Sequence, residues 1–309
     1  MSKFIIIKKN KVLSYIITFL ILFILVSSTY FFVKYYASIQ TITPLTSKND
    51  TDFDLNGDGE SDKFEISKES NSYILNIKSK DKNYSLINKD GSRLLGDSLS
   101  KWPMKVDIID LSRNNIPEVI ARLSKDKIPI NYVFSWNGSE FINTFVSNDN
   151  IIGILDSNNN KTPRLLSLSS SKGDESTKGF MFLGEYLKDI TFSKPKVPGL
   201  SAIQGFIDII EAPYELSEAP NIFTSNIKST ELATLWGLDK ENFRYSFQNG
   251  YFTDFKWDIN GNSLGINWIL SFECVKNTSD SPSVKELVLY LTVQEDGYGS
   301  LKISSIKKL

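Results

Sequence analysis

The sequence predicts three successive parts: a single N-terminal transmembrane helix, an all-β domain built from three repeats, and a C-terminal α+β domain in which helices pack on an antiparallel sheet. Three observations lead to this prediction. An uncharged apolar run lies near the start of the chain, and an acidic nine-residue pattern occurs three times between apolar segments. The last third of the chain then changes from helical to alternating periodicity.

The apolar run predicts a membrane anchor over residues 12–36. Residues 12–33 carry no charge, and as a helix they would be about 33 Å long, close to the ~30 Å hydrocarbon core of a bilayer. Four lysines precede the run, so the positive-inside rule places residues 1–11 in the cytoplasm and the bulk of the chain outside the cell. A cleaved signal peptide is the alternative, but its apolar core is normally shorter and is followed by a small-residue cleavage site. An uncleaved, single-pass anchor is therefore favoured.

Composition limits the chemistry of the remainder. Residues 37–51 are small and polar and are interpreted as a tether. The chain has no histidine and one cysteine, which excludes Ser-His-Asp and Cys-His catalysis, His-ligated zinc and an intrachain disulfide. Five of the 35 basic residues and none of the 36 acidic residues fall within residues 1–36, so the rest of the chain is acidic. This charge argues against nucleic-acid binding.

The first acidic pattern, residues 54–62, predicts a structural calcium site. Oxygen side chains stand at its positions 1, 3, 5 and 9, the glycine at position 6 permits a sharp turn, and position 7 offers its backbone carbonyl. A polar tether rather than a helix precedes the pattern, and the residues after it alternate like strands, so the context does not fit an EF-hand. A solvated turn that binds no ion is the open alternative. The predicted ligands are Asp54, Asn56, Asp58, Glu60 through its carbonyl, and Asp62.

The same pattern recurs at residues 110–118 and 156–164, so that the first positions lie 56 and then 46 residues apart. A period of this size is typical of propeller-type arrays. The second copy keeps oxygen side chains at positions 1, 3, 5 and 9 without the glycine, and whether it binds calcium is left open. The third has Arg164 at position 9, which predicts closure by an ion pair or hydrogen bonds. Between them, Asn137-Gly138 predicts a β-hairpin.

The three loops and their flanking strands resemble the FG-GAP or VCBS repeat family, known from integrin-type β-propellers, over residues 52–192. The resemblance implies that residues 52–193 form three propeller-like blades and that a calcium loop joins two strands of a blade. It also implies that the calcium ligands occupy the positions named above. A closed propeller needs at least four blades, so closure is left open.

The last part of the chain predicts a separate α+β domain. Residues 194–199 hold two prolines and a glycine and are interpreted as a linker. In residues 200–309, helical spacing after Ser201 and around residues 229–237 predicts two helices, and later alternation predicts a four- to five-stranded antiparallel sheet. This order is similar to that of the nuclear-transport-factor-like cone, a fold that hosts enzymes and assembly modules alike.

Together these features predict a non-enzymatic binding or assembly protein of the bacterial cell envelope, with calcium-stabilised β-repeats and no catalytic residues. The predicted partners are the membrane, through the N-terminal helix, and an envelope protein or a cell-wall polymer; the oligomeric state is left open. One alternative is a cell-wall hydrolase that uses a carboxylate pair such as Asp174 and Glu175. The other is an envelope sensor or assembly subunit that acts through a partner.

Overall fold

The computed structural model describes residues 18–28, 53–80, 82–156, 162–214, 220–277 and 283–309. Within these residues, sixteen strands form three sheets, and three α-helices accompany them. The chain divides into two units, Met1–Thr43 and Pro44–Leu309.

The first unit contains helix α1, which covers residues 18–28 in the described part of the chain. Among the described residues no helix is long and apolar enough to cross a membrane. The predicted transmembrane anchor over 12–36 is therefore wrong, and so is the single-pass topology with a cytoplasmic N-terminus and an extracellular bulk. The predicted cytoplasmic tail, 1–11, and the predicted tether, 37–51, lie outside the described residues.

The second unit begins with two four-stranded sheets. In the first, β1, β2 and β3 pair antiparallel in that order, and β4 also pairs with β2. The second is an antiparallel meander of β5 to β8 in chain order. The strands are β1 (Lys63–Glu69), β2 (Ser72–Ser79), β3 (Lys82–Ser85), β4 (Gly96–Asp97), β5 (Lys105–Ile109), β6 (Glu118–Lys125), β7 (Ile128–Trp136) and β8 (Phe141–Ser147).

Alternating apolar side chains of these two sheets form one hydrophobic core. Side chains two residues apart on a strand share a face, which is why alternate positions are the buried ones. The predicted Asn137-Gly138 hairpin is confirmed: Trp136 pairs with Phe141, and Gly138 adopts a φ of 92°. The core includes Leu75 and Ile77 of β2, Val119 and Ala121 of β6, and Tyr132 and Phe134 of β7.

The third sheet has eight strands in the order β12-β11-β10-β9-β13-β14-β15-β16. Neighbouring strands are antiparallel except for β9 and β13, which pair parallel. The strands are β9 (Ile151–Leu155), β10 (Arg164–Leu168), β11 (Lys178–Leu183), β12 (Tyr186–Asp189), β13 (Phe243–Trp257), β14 (Ser263–Lys276), β15 (Val284–Glu295) and β16 (Leu301–Lys308).

This sheet corrects the predicted fold class of three propeller-like blades followed by a separate α+β domain. Residues 250–253 of β13 pair with residues 151–154 of β9. Strands β9 to β12, which include the third predicted repeat, therefore form one sheet with the C-terminal strands β13 to β16. All five residues of β9 are buried, as in a strand covered on both faces, and its free edge is closed by β13. The prediction was wrong because this pairing joins segments about a hundred residues apart.

Helices α2 (Leu200–Glu211) and α3 (Ser229–Trp236) confirm the two predicted helical segments. Helix α2 contacts β13 and β16, and α3 contacts β16. The apolar face of α2 enters a second hydrophobic core together with Phe252 and Trp268 of the large sheet. That face consists of Ile203, Phe206, Ile207 and Ile210, whose spacing places them on one side of a helix.

A buried ion pair and a cation–π contact connect the second sheet with the third. Arg122 of β6 lies 2.7 Å from Asp107 of β5, and its guanidinium group stacks 4.2 Å from the ring centroid of Tyr251 on β13. The Lys105 ammonium lies 2.5 Å from Glu286 on β15. Charges this deeply buried persist only when they are paired, so these contacts fix how the two sheets face each other.

Candidate functional site

Loop 1, residues 54–62, is closed at its base by a short antiparallel bridge. Phe53 bridges Asp62, whose backbone N–H donates to the Phe53 carbonyl at 2.6 Å. The side chain of Leu55, at position 2, is fully buried and anchors the loop in the core. The predicted ligand positions therefore lie on a loop that is fixed at both ends.

The Asp54 carboxylate accepts the backbone N–H groups of the loop. Its Oδ1 accepts from Gly57 at 2.6 Å and Asp58 at 3.1 Å, and its Oδ2 accepts from Gly59 at 2.8 Å. Gly57 and Gly59 have φ angles of 74° and 84°, a left-handed conformation that glycine adopts without strain. The carboxylate at position 1 thus organises the turn directly.

Positions 3 and 5 continue this pattern. Asn56 Oδ1 accepts the Asp58 N–H at 3.0 Å, and Asp58 Oδ1 accepts the Glu60 N–H at 2.9 Å. The hydrogen bond from Glu60 is the main reason why the pKa of Asp58 lies below its usual value, and Lys80 lowers it further. The side chain of Glu60 is exposed. Asp58 is therefore ionised at neutral pH.

Asp62, at position 9, is the most unusual group of the loop. The residue is 2% exposed, and its Oδ2 accepts the Leu55 N–H at 2.8 Å. Its Oδ1 is buried and has no hydrogen-bond partner within the described part of the protein. A buried carboxylate oxygen without a partner is costly, so this oxygen is a ready acceptor for a cation.

Two residues that the sequence did not single out face the loop from the end of β2. Asn56 Nδ2 donates to Ser79 Oγ at 2.7 Å, and Ser79 Oγ lies 3.4 Å from Asp58 Oδ2. The Lys80 ammonium lies 3.4 Å from the same Asp58 oxygen. No local sequence signal predicts these contacts, because more than 20 residues separate the partners.

The predicted ligands Asp54, Asn56, Asp58, Glu60 and Asp62 share one loop, but their acidic side chains are not gathered around one point. Among the described residues, no group of three or more His, Cys, Asp or Glu side chains is arranged to hold a metal ion. Instead, the carboxylates of Asp54, Asp58 and Asp62 accept backbone N–H groups. The arrangement is a hydrogen-bonded turn in which Asp58 Oδ2 and Asp62 Oδ1 accept no backbone hydrogen bond from the described residues.

Loop 2, residues 110–118, has the same backbone arrangement as loop 1. Asp110 accepts the N–H groups of Asn114 and Asn115, Asn114 accepts that of Ile116, and Glu118 accepts that of Leu111. Each of these bonds has its counterpart at the same position of loop 1. Positive φ angles also fall at the same positions, 4 and 6, but there they belong to Arg113 and Asn115 rather than to glycines.

The carboxyl group at position 9 of loop 2 differs in its electrostatics. Glu118 is 3% exposed, and its Oε2 accepts the Leu111 N–H at 2.7 Å. Burial raises the pKa of Glu118 to about 7, although its hydrogen bonds with Leu111 and Ser112 act in the opposite direction. Near neutral pH this carboxyl group is therefore divided between its protonated and ionised forms.

Loop 3, residues 156–164, closes through the predicted ion pair. Arg164 Nε lies 3.0 Å from Asp156 Oδ2, which confirms that the cation at position 9 closes this copy. The strands at the base of loop 3 pair as they do at loop 2, since Leu155 pairs with Arg164 as Ile109 pairs with Glu118. Residues 157–161 lie outside the described residues.

The three loops lie next to one another. A Cβ atom on Gly57 of loop 1 would stand 2.6 Å from the Ile116 side chain of loop 2. Arg113 of loop 2 donates to the Asp156 carbonyl of loop 3 at 3.0 Å, and the Asp156 N–H donates to Asp254 on β13 at 2.7 Å. The loops therefore form one row along the same side of the second unit.

The acid pair considered for hydrolysis is exposed. Asp174 and Glu175 lie in a short 3₁₀-helix, and Asp174 accepts the Val197 N–H at 3.2 Å. An exposed carboxylate that caps a neighbouring backbone group is typical of a structural role. No protein-family model matches the chain, and no curated protein matches it.

Proposed function

We propose that the protein is a non-enzymatic binding or assembly protein in which loop 1 takes up a structural Ca²⁺ ion. The partner that we propose is a second macromolecule, either a protein or a polysaccharide. The buried Asp62 Oδ1, which has no hydrogen-bond partner among the described residues, is the observation that carries the calcium site. It lies in a loop with the carboxylates of Asp54 and Asp58, which are hard oxygen ligands of the kind that calcium prefers.

The acidic side chains of loops 1 and 2 support a structural role. Asp54, Asp58, Asp62, Asp110 and Glu118 each accept a backbone N–H from their own loop. Acids that serve catalysis must keep an oxygen within reach of a substrate, whereas these acids hold the chain in a turn. A cation bound to loop 1 would strengthen the same turn without chemistry.

Thermal unfolding of the full-length chain with and without 10 mM CaCl₂ tests this proposal. A dissociation constant of about 10⁻⁴–10⁻³ M, typical of extracellular calcium modules, corresponds to a stabilisation of about 1–3 kcal/mol. For a unit of this size the melting temperature rises by about 3–8 °C. We expect the shift in the wild type and its loss in Asp58→Ala.

Asp258→Ala is the matched control, because Asp258 Oδ1 also accepts two backbone N–H groups in a turn, from Asn260 and Asn262. That variant should lose some stability and keep the calcium shift. A wild type without any calcium shift would contradict the calcium site. Hydrolysis of a glycan that disappears in Asp174→Ala would contradict the non-enzymatic role.

A further inference from the structure

The two oxygens of the Asp58 carboxylate have different neighbours. Oδ1 accepts the Glu60 N–H at 2.9 Å, as the turn requires. Oδ2 faces the Lys80 ammonium and the Ser79 hydroxyl, both at 3.4 Å. Oδ1 is thus engaged in the turn, and Oδ2 is the Asp58 oxygen that a cation reaches without sharing it with a backbone N–H; a positively charged group already stands there.

The position of Lys80 is set by the fold. Ser79 pairs with Lys82 across the β2–β3 hairpin, so a two-residue connection carries Lys80, which has a φ of 46°. Ser79 is 3% exposed, and the 2.7 Å hydrogen bond from Asn56 to its hydroxyl ties the hairpin to loop 1. The ammonium group is thus held near Asp58 by register and turn geometry.

We infer that Lys80 is a built-in competitor of calcium at loop 1. Its ammonium group neutralises Asp58 when no metal is bound, and it must leave Oδ2 before Ca²⁺ can bind that oxygen. Lys80 therefore sets the calcium concentration at which the loop fills. The inference rests on the proposed calcium site and adds the residue that regulates it.

Removing this charge should tighten calcium binding. Lys80→Gln is expected to lower the dissociation constant for Ca²⁺ about fivefold at low ionic strength, a modest factor because the Lys80 side chain is 53% exposed. The factor should shrink as salt is added, since exposed charges are screened. Lys80→Arg keeps the charge and should leave the dissociation constant close to that of the wild type.

Lys78→Gln is the matched control for overall charge. Lys78 lies two residues earlier on β2 and is also 53% exposed, but its ammonium pairs with Glu65 at 2.6 Å instead of Asp58. Any general effect of removing a lysine from this hairpin should appear equally in both variants. The difference between Lys80→Gln and Lys78→Gln therefore isolates competition at Asp58.

Calorimetric titration of the full-length wild type and the three variants with CaCl₂, at low and at moderate NaCl, tests the inference. Tighter binding in Lys80→Gln alone supports it. If the wild type binds and Lys80→Gln matches Lys78→Gln, the competition is overturned and the calcium site stands. If only Lys80→Gln binds, the proposed site fails in the native chain and the competition is supported. If no variant binds, both are overturned. Thermal unfolding verifies that each variant is folded.

Discussion

Loops 1 and 2 share a set of backbone hydrogen bonds but differ in the carboxyl group at position 9. In both, the acid at position 1 accepts N–H groups from positions 5 and 6, and the acid at position 9 accepts the N–H of position 2. Loop 1 keeps a buried carboxylate oxygen without a partner at Asp62, whereas loop 2 has a glutamate, Glu118, with a raised pKa. One turn can thus present either a vacant acceptor or a proton-binding group.

The largest expected effect concerns Glu118 and separates the loops by pH. Because its folded pKa of about 7 lies above the ordinary 4.5, the folded protein keeps a proton that the unfolded chain has lost between these values. The contribution of Glu118 to the free energy of unfolding is therefore favourable below about pH 4.5 and is lost as pH rises toward 7. It amounts to about 3 kcal/mol in the free energy of unfolding.

Glu118→Gln should remove this part of the pH dependence, because the amide stays neutral and still offers an oxygen to the Leu111 N–H. Urea unfolding at several pH values between 4.5 and 7.5 measures the slope. Glu140→Gln, at an exposed glutamate, serves as the control and should keep the wild-type slope. A Glu118→Gln protein whose stability falls with pH as steeply as the wild type would show that Glu118 is not the group concerned.

An intermediate effect tests whether the loops touch. Gly57→Ala places a Cβ in a left-handed conformation and 2.6 Å from Ile116 Cδ1, and we expect a loss of about 1–2 kcal/mol in the free energy of unfolding. Gly59→Ala has the same strain but no atom within 4 Å of the new Cβ, so it should cost about 1 kcal/mol. Denaturant unfolding of both variants gives the difference.

Ile116→Val removes the atom that Gly57→Ala would strike. Combined with Gly57→Ala, it should reduce the cost of the alanine by about 0.5–1 kcal/mol, and it should leave the cost of Gly59→Ala unchanged. Equal costs for the two alanines without any coupling to Ile116 would contradict the contact between loops 1 and 2.

Local patterns predicted local structure. The Asn137-Gly138 turn, the apolar face around Phe206 and the Arg164 ion pair all follow from residues close in sequence, and the structure contains each of them. Pairing between strands distant in the chain could not be predicted from local patterns. The parallel pairing of β9 with β13 joins two strands that are distant in the chain. The sequence therefore predicted β9 in the repeat domain and β13 in a separate domain.

The candidate site divides in the same way. Spacing alone identified the loop acids as one group, but not the missing partner of Asp62 Oδ1 nor the approach of Lys80. The approach of Lys80 depends on how the β2–β3 hairpin lies against loop 1, and the state of Asp62 depends on its burial; neither can be read from the residues of loop 1. The apolar run over residues 12–33 was equally insufficient, since no helix among the described residues is long and apolar enough to cross a membrane.

The smallest expected effect concerns position 6, where loop 1 has Gly59 and loop 2 has Asn115. Without glycine at position 6, the second copy matches the acidic pattern less well. Even so, Asn115 adopts a φ of 67°, close to the 84° of Gly59. Asparagine tolerates this region far better than alanine does, so the turn needs a left-handed residue rather than glycine itself. Gly59→Asn should therefore change the free energy of unfolding by a few tenths of a kcal/mol, against about 1 kcal/mol for Gly59→Ala. Denaturant unfolding in calcium-free buffer compares the two variants. If asparagine costs as much as alanine, the two loops differ at this position in more than φ, and their shared backbone would not extend to position 6.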